Sequence, residues 1–130
     1  MRKLILTAAL CLAIPAVAGA QSMTRGTYLV ERISLCNDCH TPRDEKGELI
    51  MSKSLQGAPL GIQPIHPMPF AEVAPPIAGL PANYTPEQMA TFLQTGKRPD
   101  GSMARPPMPP YRFSKQDALA VTAYLRSMKH

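Results

Sequence analysis

The sequence predicts an all-α domain of three to four helices, with long proline-rich loops wrapped around a buried group that is not protein. Three segments carry apolar residues at helical spacing, and two of them begin with N-terminal capping signals. Fifteen prolines in 130 residues exclude long helices and central strands from the segments between them. The inner faces of three helices supply about fifteen large apolar residues, a marginal core that a buried cofactor would complete.

Residues 1–20 have the pattern of a secretory signal peptide. Two basic residues precede a mostly apolar stretch, which ends in the small residues Ala18-Gly19-Ala20 that signal peptidase prefers. The stretch is shorter than the roughly 20 apolar residues of a membrane-spanning helix. We therefore expect cleavage after Ala20 and one periplasmic domain, residues 21–130, without a membrane span.

The charge of this domain argues against nucleic-acid binding. Fourteen Lys and Arg residues, two of them in the expected signal peptide, are balanced by nine Asp and Glu, so the mature domain has a net charge near +3. No stripe of basic residues interleaved with aromatic residues is present in the sequence. The expected partners are therefore other proteins.

The first helix of the mature domain is predicted from about Thr24 to Leu35. Leu29, Ile33 and Cys36 lie on one stripe at helical spacing. This helix leads directly into the cysteine motif.

Residues 36–40, CNDCH, form a C-x-x-C-H haem-attachment motif. The two intervening residues separate Cys36 and Cys39 so that each thiol can add across one vinyl group of the porphyrin. His40 then lies under the ring and can offer a nitrogen to the iron. The single motif predicts one covalently attached haem c.

Three other uses of a C-x-x-C pair were weighed against haem attachment. A zinc site would need a second ligand pair, but the sequence has no second cysteine pair, and His66 and His130 lack the required spacing. A thiol–disulfide oxidoreductase would need a βαβ neighbourhood and would be colourless, with titratable thiols at Cys36 and Cys39. A structural disulfide would not call for His40.

Residues 52–81 are predicted to be loop, because seven prolines interrupt them. A stretch of this length without secondary structure is uncommon inside a compact domain. It becomes reasonable if the loop wraps a cofactor.

Two further helices are predicted from their capping signals. Thr85 is the expected N-cap of one helix, with Pro86 at the first helical position, Gln88 completing a capping box and Gly96 as its C-terminal stop. Ser114 is the expected N-cap of the last helix. The residues expected on the buried face of the last helix are Ala118, Val121, Thr122, Leu125 and Met128.

A second axial ligand of the iron is expected among the methionines, because a thioether opposite histidine is a common pairing in electron carriers. Met108 is preferred, since the four prolines that flank it stiffen the backbone and reduce the entropy lost on ligation. Met103 and Met68 are the alternatives. His66 is a rival ligand of another chemical type.

Several patterns along the chain resemble the class I c-type cytochromes. They are RGTYLVE at 25–31, CNDCHTPR at 36–43, GKRPDG at 96–101, PMPPY at 107–111 and DALAVTAYL at 117–125. Within that family, the chain is similar to the haem domains of the cytochrome subunits of alcohol and aldehyde dehydrogenases. The resemblance covers roughly residues 24–128. It implies the cytochrome c fold, in which the first and last helices cross with Gly26 and Tyr28 near Tyr124 and Leu125.

The resemblance also implies axial ligation by His40 and Met108, with thioether bonds at Cys36 and Cys39. From the residue types we further expect Pro42 to pack on the ring edge and Arg43 to pair with a haem propionate.

The predicted function is electron transfer, because iron with both axial positions filled leaves no place for a substrate. The chain would then be a carrier and not an enzyme. Its redox partners would be a dehydrogenase, an oxidase or another cytochrome. The alternative is a haem enzyme or gas sensor with an open distal site, which would bind carbon monoxide readily.

Overall fold

The computed structural model describes residues 14–128, with side chains from residue 19 onward, and it contains four α-helices. They are α1 (Ile14–Tyr28), α2 (Cys36–His40), α3 (Pro86–Thr95) and α4 (Lys115–Ser127). A π-helical turn (Leu29–Ile33) follows α1, and a 3-10 turn (Met51–Lys53) comes after α2 and before the first strand. Two strands of two residues each, β1 (Ala58–Pro59) and β2 (Val73–Ala74), pair antiparallel. This arrangement agrees with the predicted all-α class of three to four helices.

Helix α1 begins at Ile14 and therefore extends further toward the N-terminus than the predicted start near Thr24. The alanines between these positions favour helix, so the chain is helical across the expected cleavage site after Ala20. Residues 1–13 of the predicted signal peptide lie outside the described residues. The helix widens where the Ser34 amide donates to the Leu29 carbonyl at 2.8 Å.

Helices α1 and α4 cross at Gly26, as the resemblance implied. A Cβ at this position would lie 2.8 Å from Cβ of Tyr124 and would collide with the backbone carbonyl of Ala120. Beside the crossing, Nε of Arg25 lies 2.8 Å from Oδ1 of Asp117. The glycine therefore permits a close approach that any larger residue would prevent.

The π-helical turn is joined to α4 by the hydroxyl of Tyr124. This hydroxyl donates to Oε1 of Glu31 at 2.7 Å. Burial is the main cause that raises the pKa of Tyr124 to about 12, and the hydrogen bond to the Glu31 carboxylate adds to it. The hydroxyl therefore remains a donor at neutral pH.

The capping signals of α3 and α4 are confirmed. The Thr85 side chain accepts from the Gln88 amide at 3.2 Å, and Oε1 of Gln88 accepts from the Thr85 amide at 2.9 Å. The Ser114 hydroxyl accepts from the Asp117 amide at 3.1 Å. Gly96 ends α3 in the left-handed region, with φ of 73°. Local chemistry thus fixes both helices where the sequence placed them.

The helices bury a small apolar cluster between them. Its fully buried members are Leu29, Val30, Leu55, Ala78, Leu80, Met89, Ala90, Phe92, Leu93, Ala118, Val121 and Leu125. None of the helices within residues 14–128 combines the length and hydropathy that a bilayer crossing requires.

Candidate functional site

A cavity of about 330 Å³ lies against α2, α3, α4 and the loops between them. Most of the side chains that line it are apolar. They include Leu35, Leu60, Val73, Ile77, Met89, Phe92, Leu93, Val121 and Leu125. The long loop that follows α2 contributes several of these residues, so it forms part of the wall of the cavity.

Helix α2 presents the C-x-x-C-H motif to this cavity. Leu35, in the left-handed region with φ of 49°, turns the chain from the π-helical turn into α2. Cys36, Cys39 and His40 all line the cavity, and neither cysteine forms a disulfide. Residues three apart on a helix lie on the same side of it. The two thiols are therefore placed to attach to one edge of a bound group.

His40 is held as a neutral imidazole with one nitrogen free to bind a metal. The side chain is 6% exposed, and its Nδ1–H donates to the carbonyl oxygen of Pro75 at 2.7 Å. Because a carbonyl can only accept, the hydrogen is on Nδ1 and the lone pair is on Nε2. Burial also lowers the pKa of His40, which favours the neutral form.

The burial of Cys36 disfavours the use of its thiol in thiol–disulfide exchange. Burial raises the pKa of the Cys36 thiol to about 11, whereas the attacking thiol of a thiol–disulfide oxidoreductase has a lowered pKa. Among the described residues, no three His, Cys, Asp or Glu side chains are grouped to hold a metal ion. The raised pKa of Cys36 therefore gives no support to a thiol–disulfide oxidoreductase.

Met108 reaches the cavity, and the three rival ligands do not. Met108 is half-buried and lines the cavity together with His40. Met103 and Met68 are 48% and 50% exposed, and neither they nor the exposed His66 belong to the lining. Met89 also lines the cavity, but it is 3% exposed within the core face of α3.

The segment around Met108 is hydrogen-bonded to other parts of the site. The Tyr111 hydroxyl donates to the Ser34 carbonyl at 2.7 Å, next to the first cysteine of the motif. The Tyr111 ring stacks on Phe113, with ring centroids 5.2 Å apart. On the other side of Met108, the Ala71 amide donates to the Pro106 carbonyl at 2.7 Å. These contacts hold Met108 from both sides.

Pro42 and Arg43 lie outside the cavity lining, against the expectation that they contact the cofactor. The Arg43 guanidinium donates to the Gly47 carbonyl at 2.8 Å and so closes its own loop. Arg98 and Arg105 line the cavity instead. Their position in the sequence, between α3 and Met108, was a usable signal for this role.

The donor set fits a haem. Two thiols, a neutral imidazole and a thioether meet at one apolar cavity, and two guanidinium groups are available for carboxylates. Among the described residues, the buried hydroxyl of Ser34 has no hydrogen-bond partner, and Ser34 also lines the cavity. An apolar, planar group with two carboxylates would complete this site.

Comparison with known proteins gives one family match and two relatives. The family model described as Cytochrome c matches residues 23–129. The chain is 31% identical over 107 residues to a diheme cytochrome c-type protein of Cereibacter sphaeroides, covering 78% of this chain and 34% of that protein. It is 30% identical over 113 residues to a fructose dehydrogenase cytochrome subunit of Gluconobacter japonicus, covering 80% of this chain and 21% of that protein. The chain thus spans about a third or less of the length of these curated relatives.

Proposed function

Because the chain belongs to the cytochrome c family, we propose that it is a periplasmic carrier of single electrons, with one haem c attached to Cys36 and Cys39. His40 and Met108 would be the axial ligands. The family's fold is the predicted all-α cytochrome c fold, which the four helices match. Proteins of this family are haem proteins that transfer electrons.

The observation that carries the proposal is that His40 and Met108 line the same cavity, whereas Met103 and Met68 do not. When bound, the haem would supply an iron that alternates between two oxidation states. In an electron carrier the oxidation state of the iron changes without a substrate bound to it. Side chains in both axial positions prevent a substrate from binding the iron.

The residues of the chain would each contribute to this role. The Pro75 carbonyl orients His40 through Nδ1–H, and the Tyr111 hydroxyl holds the Met108 segment against Ser34. The apolar walls exclude water. Arg98 and Arg105, which line the cavity, would neutralise the haem propionates in place of Arg43.

The redox partners are proposed from the relatives. Since one relative is named a fructose dehydrogenase cytochrome subunit, a dehydrogenase is a reasonable electron donor for this chain. An oxidase or another cytochrome would then be the acceptor. The chain would act as a carrier, alone or as part of such a complex, and not as a catalyst.

The ligand set is tested by comparing Met108→Ala with Met103→Ala in the haem-loaded protein. Met108→Ala is expected to keep the covalent haem, to lower the reduction potential and to let carbon monoxide bind the reduced form, because the thioether is lost from the iron. Met103→Ala removes the same side chain from a site outside the cavity and is expected to change neither property. Absorption spectra with and without carbon monoxide, together with a redox titration, provide the measurements.

Two results would contradict this assignment. Ready binding of carbon monoxide by the unsubstituted reduced protein would favour a haem enzyme or gas sensor. An open iron in Met103→Ala, with Met108→Ala unchanged, would transfer the ligand role to Met103.

A further inference from the structure

We propose that the hairpin formed by residues 58–74 is a docking surface for a redox partner whose own contact patch is apolar and uncharged. We call these residues the apolar hairpin. It consists of β1, β2 and the long connection between them. None of the family patterns in the sequence accounts for this segment.

The apolar hairpin exposes large apolar side chains at its tip. Ile65 is 95% exposed, and Ile62 and Met68 are 53% and 50% exposed. Such a concentration of exposed apolar residues in one short segment is typical of an interaction surface, whereas single exposed apolar residues are ordinary.

The base of the apolar hairpin is hydrogen-bonded to the segments of both proposed axial ligands. Gly57, directly before β1, donates its amide to the His40 carbonyl at 2.8 Å, and Pro75, directly after β2, accepts from Nδ1 of His40 at 2.7 Å. The amide of Ala71 donates to the carbonyl of Pro106, two residues before Met108. The base of the apolar hairpin therefore lies beside the proposed haem site.

The hairpin also reaches the mouth of the cavity. Val73 lines the cavity and is 59% exposed. Leu35, which directly precedes α2, is half-exposed and also lines the cavity. Electron transfer requires a short path between the two redox centres, and this apolar rim is a place where a partner can come near.

The charge of the segment determines the chemistry of its partner. Glu72, next to β2, is the only Lys, Arg, Asp or Glu residue of the apolar hairpin, and residues 54–71 contain none. A charged group of a partner that became buried here would lose its hydration and find no opposite charge, which is unfavourable. The fitting partner therefore presents an uncharged apolar patch, and not the acidic surface that the scattered basic residues of this chain would attract.

Prolines make the tip suitable for repeated, brief encounters. Pro64, Pro67 and Pro69 alternate with the exposed apolar residues and restrict the backbone. A restricted loop loses less conformational entropy when a partner binds.

Because this docking role rests on the proposed electron-carrier function, it is tested on the haem-loaded protein with a second copy of the chain as the probe. The second copy presents the same apolar tip, residues 62–68, which contains no Lys, Arg, Asp or Glu. In self-exchange one electron passes from the reduced copy to the oxidised copy, so that the first is oxidised and the second reduced, and no atom is transferred. The exchange rate is measured from nuclear magnetic resonance line widths of mixtures of the two forms.

The test compares Ile65→Lys with Leu119→Lys. Both variants replace an exposed apolar residue with lysine and raise the net charge equally, but Leu119 is on α4 and does not line the cavity. At about 0.1 M salt, charges more than about 10 Å apart are largely screened, so a lysine acts mainly where it is in contact. We expect self-exchange to slow about tenfold in Ile65→Lys, because two like charges meet at the contact, and to remain unchanged in Leu119→Lys.

Several outcomes would overturn the docking role. One is an equal effect of the two variants on the rate, and another is no effect of Ile65→Lys. A third is a stable dimer in sedimentation experiments that Ile65→Lys dissociates and Leu119→Lys does not, which would assign the hairpin to self-association. A fourth is binding to phosphatidylcholine vesicles that is lost in Ile65→Lys, which would assign the hairpin to a lipid surface. Failure of the proposed function is distinguished beforehand, since it would appear as absent haem or as carbon monoxide binding in the unsubstituted protein.

Discussion

A single hydrogen bond determines which nitrogen of His40 carries the hydrogen and which has a free lone pair. The carbonyl oxygen of Pro75, which is 35 residues further along the chain, accepts a hydrogen bond from Nδ1 of His40. The motif in the sequence singled out His40, because this residue follows the second cysteine directly. The partner at Pro75 could not be predicted, since its approach depends on how the long loop returns to the site.

The contacts of the arginines could not be predicted from the sequence either. Arg43 is three residues from His40 in the sequence, but its guanidinium closes a turn onto Gly47. Arg98 and Arg105 are far from the motif in the sequence and yet line the cavity. Proximity to the motif along the chain was thus a poor guide to which arginines line the cavity.

Gly57→Ala is predicted to destabilise the haem-loaded protein more than Gly61→Ala. Both glycines have positive φ, 86° and 63°, but a Cβ at Gly57 would lie 2.8 Å from the backbone nitrogen of Pro76, whereas nothing lies within 4 Å at Gly61. We expect Gly61→Ala to cost about 1 kcal/mol from the backbone alone, and Gly57→Ala to cost about 3 kcal/mol because a collision is added. Denaturant unfolding monitored by circular dichroism measures the free energy of unfolding of both variants. An equal loss of stability in the two variants would contradict the prediction, because it would mean that the added Cβ at Gly57 does not collide with the backbone of Pro76.

Among the helices, those with local start and stop signals were predicted well. The capping box of Thr85 and Gln88, the Ser114 cap and the Gly96 stop all act through neighbouring residues, so the sequence contains the information that places them. The first helix was less predictable. The chain is already helical at Ile14, before the predicted start near Thr24, and the π-helical turn follows Tyr28 without a side-chain cap, so periodicity alone does not mark either feature.

The crossing of α1 and α4 predicts the effect of Gly26→Ala. In an isolated helix this change would stabilise by about 1 kcal/mol, because alanine is a better helix former than glycine. Here the added Cβ would collide with Ala120 and lie 2.8 Å from Cβ of Tyr124, so we expect a net loss of about 2 kcal/mol in the free energy of unfolding.

The matched control for this crossing is Thr24→Ala, an exposed position on the same helix. It is expected to change the free energy of unfolding by less than about 0.5 kcal/mol. Urea unfolding curves of the two variants provide the comparison. Stabilisation by Gly26→Ala would mean that the two helices do not approach each other this closely.

For the molecule as a whole, the sequence predicted a long loop wrapped around a cofactor, and the structure shows how part of that loop is arranged. It pairs into the apolar hairpin, lines the cavity and is hydrogen-bonded to the segments of His40 and Met108. The flanking residues gave only a preference for Met108, whereas the arrangement of the chain shows that Met108 lines the cavity and that Met103 and Met68 do not. The fold class, in contrast, followed from helix patterns and proline content.

The central claim is that a haem is covalently attached to Cys36 and Cys39, and the intact mass of the protein purified from its natural source tests it most directly. After acid denaturation, which releases groups that are not covalently bound, we predict a mass equal to the polypeptide plus one haem, in a red protein. The Cys36→Ala, Cys39→Ala double variant is the control and should lose this added mass. A colourless protein with the mass of the polypeptide alone would contradict the account.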